Sequence, residues 1–327
     1  MGCRIYASTS ESYILQFVHV LVVGGTGLVG RYLVRKLLSL DFQVTSIARS
    51  RSLDHHRLLT QLQIDLAVPG WPLFLKDMIG EIDVVCHLAY STTSSPNVNR
   101  RVTTESAIDL GRLIKNLDLI HFVYVGSVSV YGLIPNGPFV TESSPFSVYD
   151  SYSQNKADAT QAVLNLGCNF PVTVLHPSLI WDRQSPRIQR LRHDLKSGYF
   201  LLDDTKVGIA NMIHADDLAS AILLSSSRAY GDVSEEYIIN GECVPYPQLF
   251  EQIELQLGVR NRTRLPPFTS RLIRWKFRDA AYKFGVRVPI RLSDYKKKQY
   301  VAGVKFSSQK AKSHFGFDPS HSVLMEL

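Results

Sequence analysis

Cysteine is scarce in this 327-residue chain, which holds only Cys3, Cys86, Cys168 and Cys243. They are scattered without the paired spacing of a zinc module or a disulfide framework, so the thiols read as reduced and no metal site is expected. Long apolar runs are missing too, and no stretch reaches the roughly 18 residues that a membrane-spanning helix needs. The first 17 residues mix polar and aromatic side chains without the apolar stretch of a secretory signal. They read as a tail, and the chain is expected in the cytoplasm. Met1-Gly2-Cys3 begins like an acylation signal, but Tyr6 stands where Ser or Thr is required. Acids are fewer than bases, 29 Asp and Glu against 36 Lys and Arg, a net +7.

That imbalance is local. Between Arg260 and Lys312 stand 16 Lys or Arg against Asp279 and Asp294, so this stretch carries +14 and the rest of the chain −7. A basic portion on an acidic body suits an anionic partner, such as a diphosphate-bearing substrate or a membrane surface. No nucleic-acid module is visible, and no nucleic acid is expected. The remaining composition, 45% hydrophobic and 20% charged, belongs to a globular protein with one large domain or a core and a smaller lobe.

The apolar run His19-Val20-Leu21-Val22-Val23 has the character of a strand buried on both faces. It leads into Gly24-Gly25-Thr26-Gly27-Leu28-Val29-Gly30 and then into a helical pattern from Arg31 to Leu38. Strand, glycine turn and helix in that order is the context of a dinucleotide-binding turn. Gly24 and Gly27 allow a sharp turn close to a pyrophosphate, Gly30 allows close packing, and the helix N-terminus offers free N–H groups. Gly24, Thr26, Gly27, Leu28, Val29 and Gly30 are therefore assigned to a cofactor. An acid at the end of the second strand, Gln43 to Ala48, would bind both ribose hydroxyls of NAD. The sequence instead reads Ala48-Arg49-Ser50-Arg51. A guanidinium suits a 2′-phosphate, so Arg49 favours NADP(H) over NAD(H), which stays as the second option; the competing reading is a solvated loop arginine. Gln63 to Leu66 should end a third strand, with Asp65 placed to meet the adenine amine and Leu66 beside it. Asp83 to Ala89 should form a fourth, with Leu88 and small Ala89 under the cofactor and His87 in the core.

Ile120 to Val125 reads as a strand that delivers Ser127, with Ser129 and Tyr131 just beyond, to the edge where open α/β sheets bind ligands. The alternation of strands and helices argues an α/β, Rossmann-type, doubly wound parallel sheet. In Tyr152-Ser153-Gln154-Asn155-Lys156, helical spacing puts the phenol and the ammonium on one face. A free phenol titrates near pH ~10, and a neighbouring cation lowers that value toward the working range. The pair can then exchange a proton with an alcohol or ketone; the alternative is a solvated helix face.

Together these pieces resemble an extended short-chain dehydrogenase/reductase of the NAD(P)-dependent epimerase/dehydratase group. The matches are Gly24-x-x-Gly27-x-x-Gly30, Asp65-Leu66, His87-Leu88-Ala89, Ser127-x-x-Val130-Tyr131-Gly132, Tyr152-x-x-x-Lys156, His176-Pro177 and Ile213 to Ala219. The resemblance implies Tyr152 as general acid/base, Lys156 lowering its pKa while holding the nicotinamide ribose, and Ser127 polarising the reacting oxygen. It implies Pro177, Leu179 and Ile180 along the nicotinamide pocket, and Glu142 and His176, with Ser129 and Tyr131, near the substrate; the competing reading of Glu142 is a surface loop acid. His214, Asp216 and Asp217 look catalytic, but in the family this piece opens a helix with the acids as cap and first-turn residues. A homodimer through the Tyr152 helix is also implied.

Departures from the family's sugar-handling pattern occur at Val102 to Ser106, at His176 in place of arginine, and at Trp181-Asp182. Residues 1–17 are read as a tail, 18–177 with 212–241 as the cofactor domain, and 178–211 with 242–327 as the substrate lobe. Within that lobe 267–289 alternates aromatic and basic residues around Trp275. Such a helix could lie peripherally on an anionic membrane, clamp a diphosphate, or simply pack on the lobe; Lys296-Lys297-Lys298 read as solvated. Three functions follow. The first is an epimerase, dehydratase or ketoreductase of a nucleotide-activated sugar. The second is a reductase or dehydrogenase of a hydrophobic alcohol or ketone (sterol-like, flavonoid-like or acyl), which the departures and the basic aromatic lobe favour. The third is a non-catalytic NADP-binding sensor or scaffold, which has no need of Ser127, Tyr152 and Lys156 together.

Overall fold

The structure, a computed structural model, describes residues 19–76, 82–116, 121–132, 139–168, 170–196, 208–226, 234–259 and 303–327. The basic stretch 267–289 and Lys296-Lys297-Lys298 lie outside the described residues.

Seven strands make one parallel sheet. They are β1 (His19–Val23), β2 (Gln43–Ala48), β3 (Leu59–Gln63), β4 (Val84–His87), β5 (His121–Val125), β6 (Val172–Pro177) and β9 (Glu235–Ile239), in the order β3-β2-β1-β4-β5-β6-β9. The central strands are buried along almost their whole length, as continuous apolar runs require when helices cover both faces. The reversal of strand order between β1 and β4 opens a crevice at their C-terminal ends, where such sheets bind ligands.

The helices follow from their apolar stripes. α1 (Leu28–Ser39) buries Val29, Leu33, Val34 and Leu37 against the sheet and against α7 (Ala215–Ser225). Each such fully buried side chain contributes about 1.5–3 kcal/mol. α2 (Leu73–Lys76) is a single turn, and α3 (Pro96–Arg100) runs through a wide turn at Arg101–Glu105 into α4 (Ser106–Ile114). α4 and α5 (Ser151–Leu164) cover the other face, where Leu110, Ile114, Ala159 and Val163 pack with Phe122 and Tyr124.

A second sheet, β10-β8-β7, joins β7 (Leu179–Trp181), β8 (Ile209–His214) and β10 (Glu242–Pro245). With α6 (Pro186–Lys196) and α8 (Tyr246–Leu257) it encloses a separate core around Trp181, Met212, Phe250 and Ile253. The C-terminal segment serves both bodies. Ala311, Phe315 and Phe317 pack into the core beside α1, whereas Val323 and Leu327 join the smaller core. Residues 304–317, assigned by sequence to the substrate lobe, thus lie on the main sheet, with Phe306 against Tyr131.

β3 ends at Gln63, so Asp65 lies in the turn beyond it rather than on the strand. α7 opens as expected with Asp216 and Asp217 in its first turn, but the cap is the His214 ring, whose Nδ1 accepts the Asp216 N–H at 3.2 Å. Asp217 accepts the N–H groups of Ser320 and His321 at 3.0 Å each and so ties the C-terminal segment down.

Candidate active site

The glycine turn is built for close approach. Gly24 has φ +92°, and a Cβ there would sit 3.1 Å from the Ala89 nitrogen, so the turn runs directly against the end of β4. At Gly30 a Cβ would lie 2.3 Å from the Gly24 carbonyl oxygen, which only a glycine avoids. α1 has Gly27 at its N-cap, with no side-chain cap and no acid in its first turn, leaving its N–H groups and positive dipole end for an anion. Gly27 and Leu28 are exposed, Thr26 is half-buried and Val29 is buried. Arg31 donates from Nε to the Thr26 carbonyl at 2.9 Å and from its terminal nitrogens to Ser52, closing the loop after β2 onto the turn.

That loop carries Arg49, exposed just beyond β2. Asp65 is exposed in the turn after the neighbouring strand, with Oδ1 accepting the Ala67 N–H at 2.9 Å, and Leu66 is buried beneath. Leu88 is buried and Ala89 half-buried at the end of β4. His87 lies in the core, bonded through Nε2 to the Ser106 hydroxyl at 2.9 Å. Burial, with Lys156 nearby, pulls its pKa down to about 3, so it stays neutral.

On the opposite side of the crevice α5 begins with a reciprocal cap. Asp150 accepts the Ser153 N–H at 2.7 Å, and the Ser153 hydroxyl accepts the Asp150 N–H at 3.1 Å. The cap fixes the first turn, placing half-buried Tyr152 one turn ahead of fully buried Lys156. The Lys156 ammonium donates to the Val125 carbonyl at 2.7 Å and to the Tyr124 hydroxyl at 3.4 Å. It also lies over the rings of Tyr124 and Tyr90, 4.9 and 5.7 Å from their centroids. Burial pulls its pKa down to about 7.

The Tyr152 phenol goes the other way: burial pushes its pKa up to about 12, opposed by a hydrogen bond to the Ser127 side chain and by the Arg187 guanidinium. The expected lowering by Lys156 is absent: the ammonium spends its hydrogen bonds on Val125 and Tyr124, and desolvation governs the phenol. Ser127 follows β5 and caps the short turn Val128–Tyr131, its Oγ accepting the Ser129 N–H at 3.2 Å. With that lone pair engaged, the Ser127 O–H is left to donate, and Tyr152 lies in its reach. Ser129 Oγ and the Tyr131 hydroxyl are buried near by without a hydrogen-bond partner among the described residues.

Two residues expected at the substrate are engaged elsewhere. Glu142 Oε1 accepts the Ile238 N–H at 2.7 Å, satisfying a donor of β9 at the sheet's edge. His176 is completely buried under Ser127, its Nε2 2.8 Å from Glu236. Pro177 is buried at the end of β6, and Leu179 and Ile180 are half-buried on β7 alongside. Three neighbours escaped the sequence reading. Tyr90 stands edge-on to the Tyr152 ring at 6.3 Å, Arg187 lies in the first turn of α6, and Glu236 lies on β9. Tyr90 had one signal, its place directly after Ala89 at a strand's end. Arg187 and Glu236 become visible only once α6 and β9 are placed.

Away from the crevice, His214, His321 and Glu326 bring possible metal-ligating atoms within 4.8 Å of one another. His214 Nδ1 already accepts the Asp216 N–H, His321 Nδ1 is 3.0 Å from Glu326, and Lys36 pairs with Asp216 at 2.9 Å. A resident ammonium and engaged ring nitrogens make this a polar latch for the C-terminal segment.

Residues 20–184 match the model of the NAD dependent epimerase/dehydratase family. A 2-alkyl-3-oxoalkanoate reductase of Shewanella oneidensis is 24% identical over 285 residues, covering 78% of this chain and 68% of the reductase. Among solved structures, the UDP-glucuronic acid 4-epimerase of Bacillus cereus in complex with NAD superposes with a TM-score of 0.73 at 17% identity, over 94% of this chain and 96% of the epimerase. The UDP-glucose 4-epimerase of Thermotoga maritima with UDP-glucose does so with a TM-score of 0.73 at 15% identity, over 94% and 96%. At these identities the superpositions establish the fold.

Proposed function

The chain belongs to the NAD dependent epimerase/dehydratase family, and from that premise we propose that it performs hydride-transfer chemistry on a nucleotide-activated sugar. It is an enzyme of nicotinamide dinucleotide chemistry, and the glycine cradle, which a Cβ at Gly24 or Gly30 would fill, suits that cofactor. Bound there, the nicotinamide would supply or accept the hydride. Gly24, Thr26, Gly27, Leu28, Val29 and Gly30 would hold the pyrophosphate, Asp65 and Leu66 the adenine, and Leu88, Ala89, Pro177, Leu179 and Ile180 the walls of the pocket. Tyr152 moves the proton to or from the substrate oxygen, the Ser127 O–H polarises that oxygen, and Lys156 supplies a cation beside them.

The observation that carries the sugar-nucleotide reading is Arg187. It lies exposed in the first turn of α6, the helix that follows β7, with Arg183 and Arg190 exposed on either side. Arginines beside a helix N-terminus suit a diphosphate. A second reading, reduction of a 3-oxoacyl compound, is favoured by the 24% identity to the Shewanella reductase.

The test has two arms. Purified protein is denatured and the supernatant examined for released dinucleotide at 260 and 340 nm. UDP-glucose and UDP-glucuronic acid, and separately a 2-alkyl-3-oxoacid with NADPH, are then offered as substrates. Stoichiometric co-purified dinucleotide and a new UDP-sugar are expected. Protein that is empty of dinucleotide and oxidises NADPH only with the oxoacid would replace the first reading by the second.

Arg49 favours NADP(H) at the adenine ribose. Arg49→Ala is expected to weaken NADP(H) binding about tenfold, the ~1.4 kcal/mol of one exposed charge-assisted contact, while leaving NAD(H) unchanged. Isothermal titration with both cofactors reads the difference, and an unaltered preference removes Arg49 from the site.

A further inference from the structure

We infer that His176, buried, and Glu236, partly exposed, form a positioning pair that holds the Ser127 backbone, and through it the Ser127 hydroxyl, beside Tyr152. The inference rests on the proposed role of Ser127 and adds a second layer beneath it.

The imidazole of His176 is fully buried at the end of β6. Its Nδ1 lies 3.3 Å from both the nitrogen and the carbonyl oxygen of Ser127, so the ring's edge faces the backbone of that one residue, at the two peptide groups that flank its Cα. Its Nε2 lies 2.8 Å from Glu236 Oε2. A carboxylate accepts only, so Nε2 carries the proton. In the neutral ring Nδ1 then accepts the Ser127 N–H; in the cation it donates to the Ser127 carbonyl. Either way one residue is gripped from behind.

The surroundings leave the ring one position. Tyr131 and Phe146 meet it edge to face at 5.5 and 6.0 Å between centroids. A Cβ on Gly126 would come within 2.7 Å of Nδ1, so only glycine lets the imidazole lie against this backbone. Gly126 N–H also donates to the Leu175 carbonyl at 2.7 Å, locking the strand ends that carry Ser127 and His176. Ser127 itself is extended, at φ −167° and ψ 142°, before the turn that its Oγ caps. A rotation of that backbone moves the hydroxyl and so the position from which it acts on the reacting oxygen. Glu236 is partly exposed on the edge strand β9, so the pair ties Ser127 to the sheet's last strand.

The test is a double-mutant cycle read in turnover of the UDP-sugar that the wild-type enzyme accepts. His176→Asn is expected to lower kcat ten- to a hundredfold, with KM and cofactor affinity within twofold, and to cost nothing further in a Ser127→Ala background. Glu236→Gln, which keeps an acceptor for Nε2–H, should retain most activity, whereas Glu236→Leu should fall as far as His176→Asn. These Glu236 variants carry the test if His176→Asn does not fold. An equal loss from either substitution with and without Ser127 would overturn the pair as a positioning device. A second readout needs no substrate: 15N NMR of the imidazole should show Nε2 protonated, with the Ser127 amide resonance shifting in Glu236→Leu. An unprotonated Nε2, or a Ser127 amide indifferent to Glu236, would also overturn it. If the wild type turns over no UDP-sugar, that fault lies with the functional reading, and the NMR arm still decides the pair.

Discussion

Tyr152→Phe is expected to lose about three orders of magnitude in turnover while binding dinucleotide as the wild type does, within the 10²–10⁴-fold range of a positioned acid or base. The substitution removes one hydroxyl and leaves the ring, which keeps its edge contact with Tyr90. Cofactor contacts are assigned mainly to the glycine turn and the ends of β4 and β6, and these are untouched. No neighbour can replace the lost group. Tyr124 is buried beneath Lys156 with its pKa pushed up by burial, and the Ser127 hydroxyl has no comparable acidity. The direction of the Tyr152 shift adds a pH signature. With its pKa raised to about 12, the phenol is protonated throughout the neutral range and ready to donate. Reduction should therefore fall between pH 6 and 9 only as Lys156 loses its charge above about pH 7, the phenol staying protonated throughout. Oxidation, which needs phenolate, should climb with pH to about 7 and level off beyond it as the Lys156 charge is lost. Stopped-flow absorbance at 340 nm on wild type and variant measures both, and a Tyr152→Phe enzyme within tenfold of wild type would remove Tyr152 from the chemistry.

The legible parts of the molecule are those whose cause is local. β1 is a run of five residues with no polar side chain after His19, and Gly30 is demanded by the Gly24 carbonyl six residues before it. The doubly wound sheet follows from the spacing of such runs, and α5 begins where Asp150 and Ser153 cap each other. What escaped depends on partners far along the chain. Glu142 reads as a loop acid until β9, nearly a hundred residues on, presents the Ile238 N–H to it. His176 reads as a strand-end residue near substrate, and only the pairing of β6 with β9 brings Glu236 to its far nitrogen. The placement of Ala311, Phe315 and Phe317 beside α1 is of the same kind, since three apolar side chains after a basic stretch do not say which core they fill. The Tyr152–Lys156 spacing was legible, but its electrostatics were not, because desolvation depends on what covers a side chain.

Lys156 carries the converse prediction, a loss of function accompanied by a gain in stability. At 2% exposure its ammonium has only the Val125 carbonyl, the Tyr124 hydroxyl and two aromatic faces in place of water. The pKa falls from 10.5 to about 7 in the folded chain. Between those values the unfolded state holds the proton and the folded state does not. Stability from this group therefore rises with pH from about 7 to 10.5, and below pH 7 the full cost of burying the charge is present. Lys156→Met keeps the aliphatic body and removes that cost, so the variant should be more stable by roughly 2–4 kcal/mol at pH 6.5. The advantage should shrink steadily toward pH 10, which a series of denaturant titrations would follow. Turnover should fall at least a hundredfold if Lys156 has the role proposed for it, a cation beside the substrate oxygen. A variant less stable than wild type at pH 6.5 would mean that the Val125 and Tyr124 contacts outweigh desolvation, and Lys156 would then be a structural ion. A variant more stable and inactive identifies a charge that folding opposes, at the centre of a site where only catalysis has a use for it.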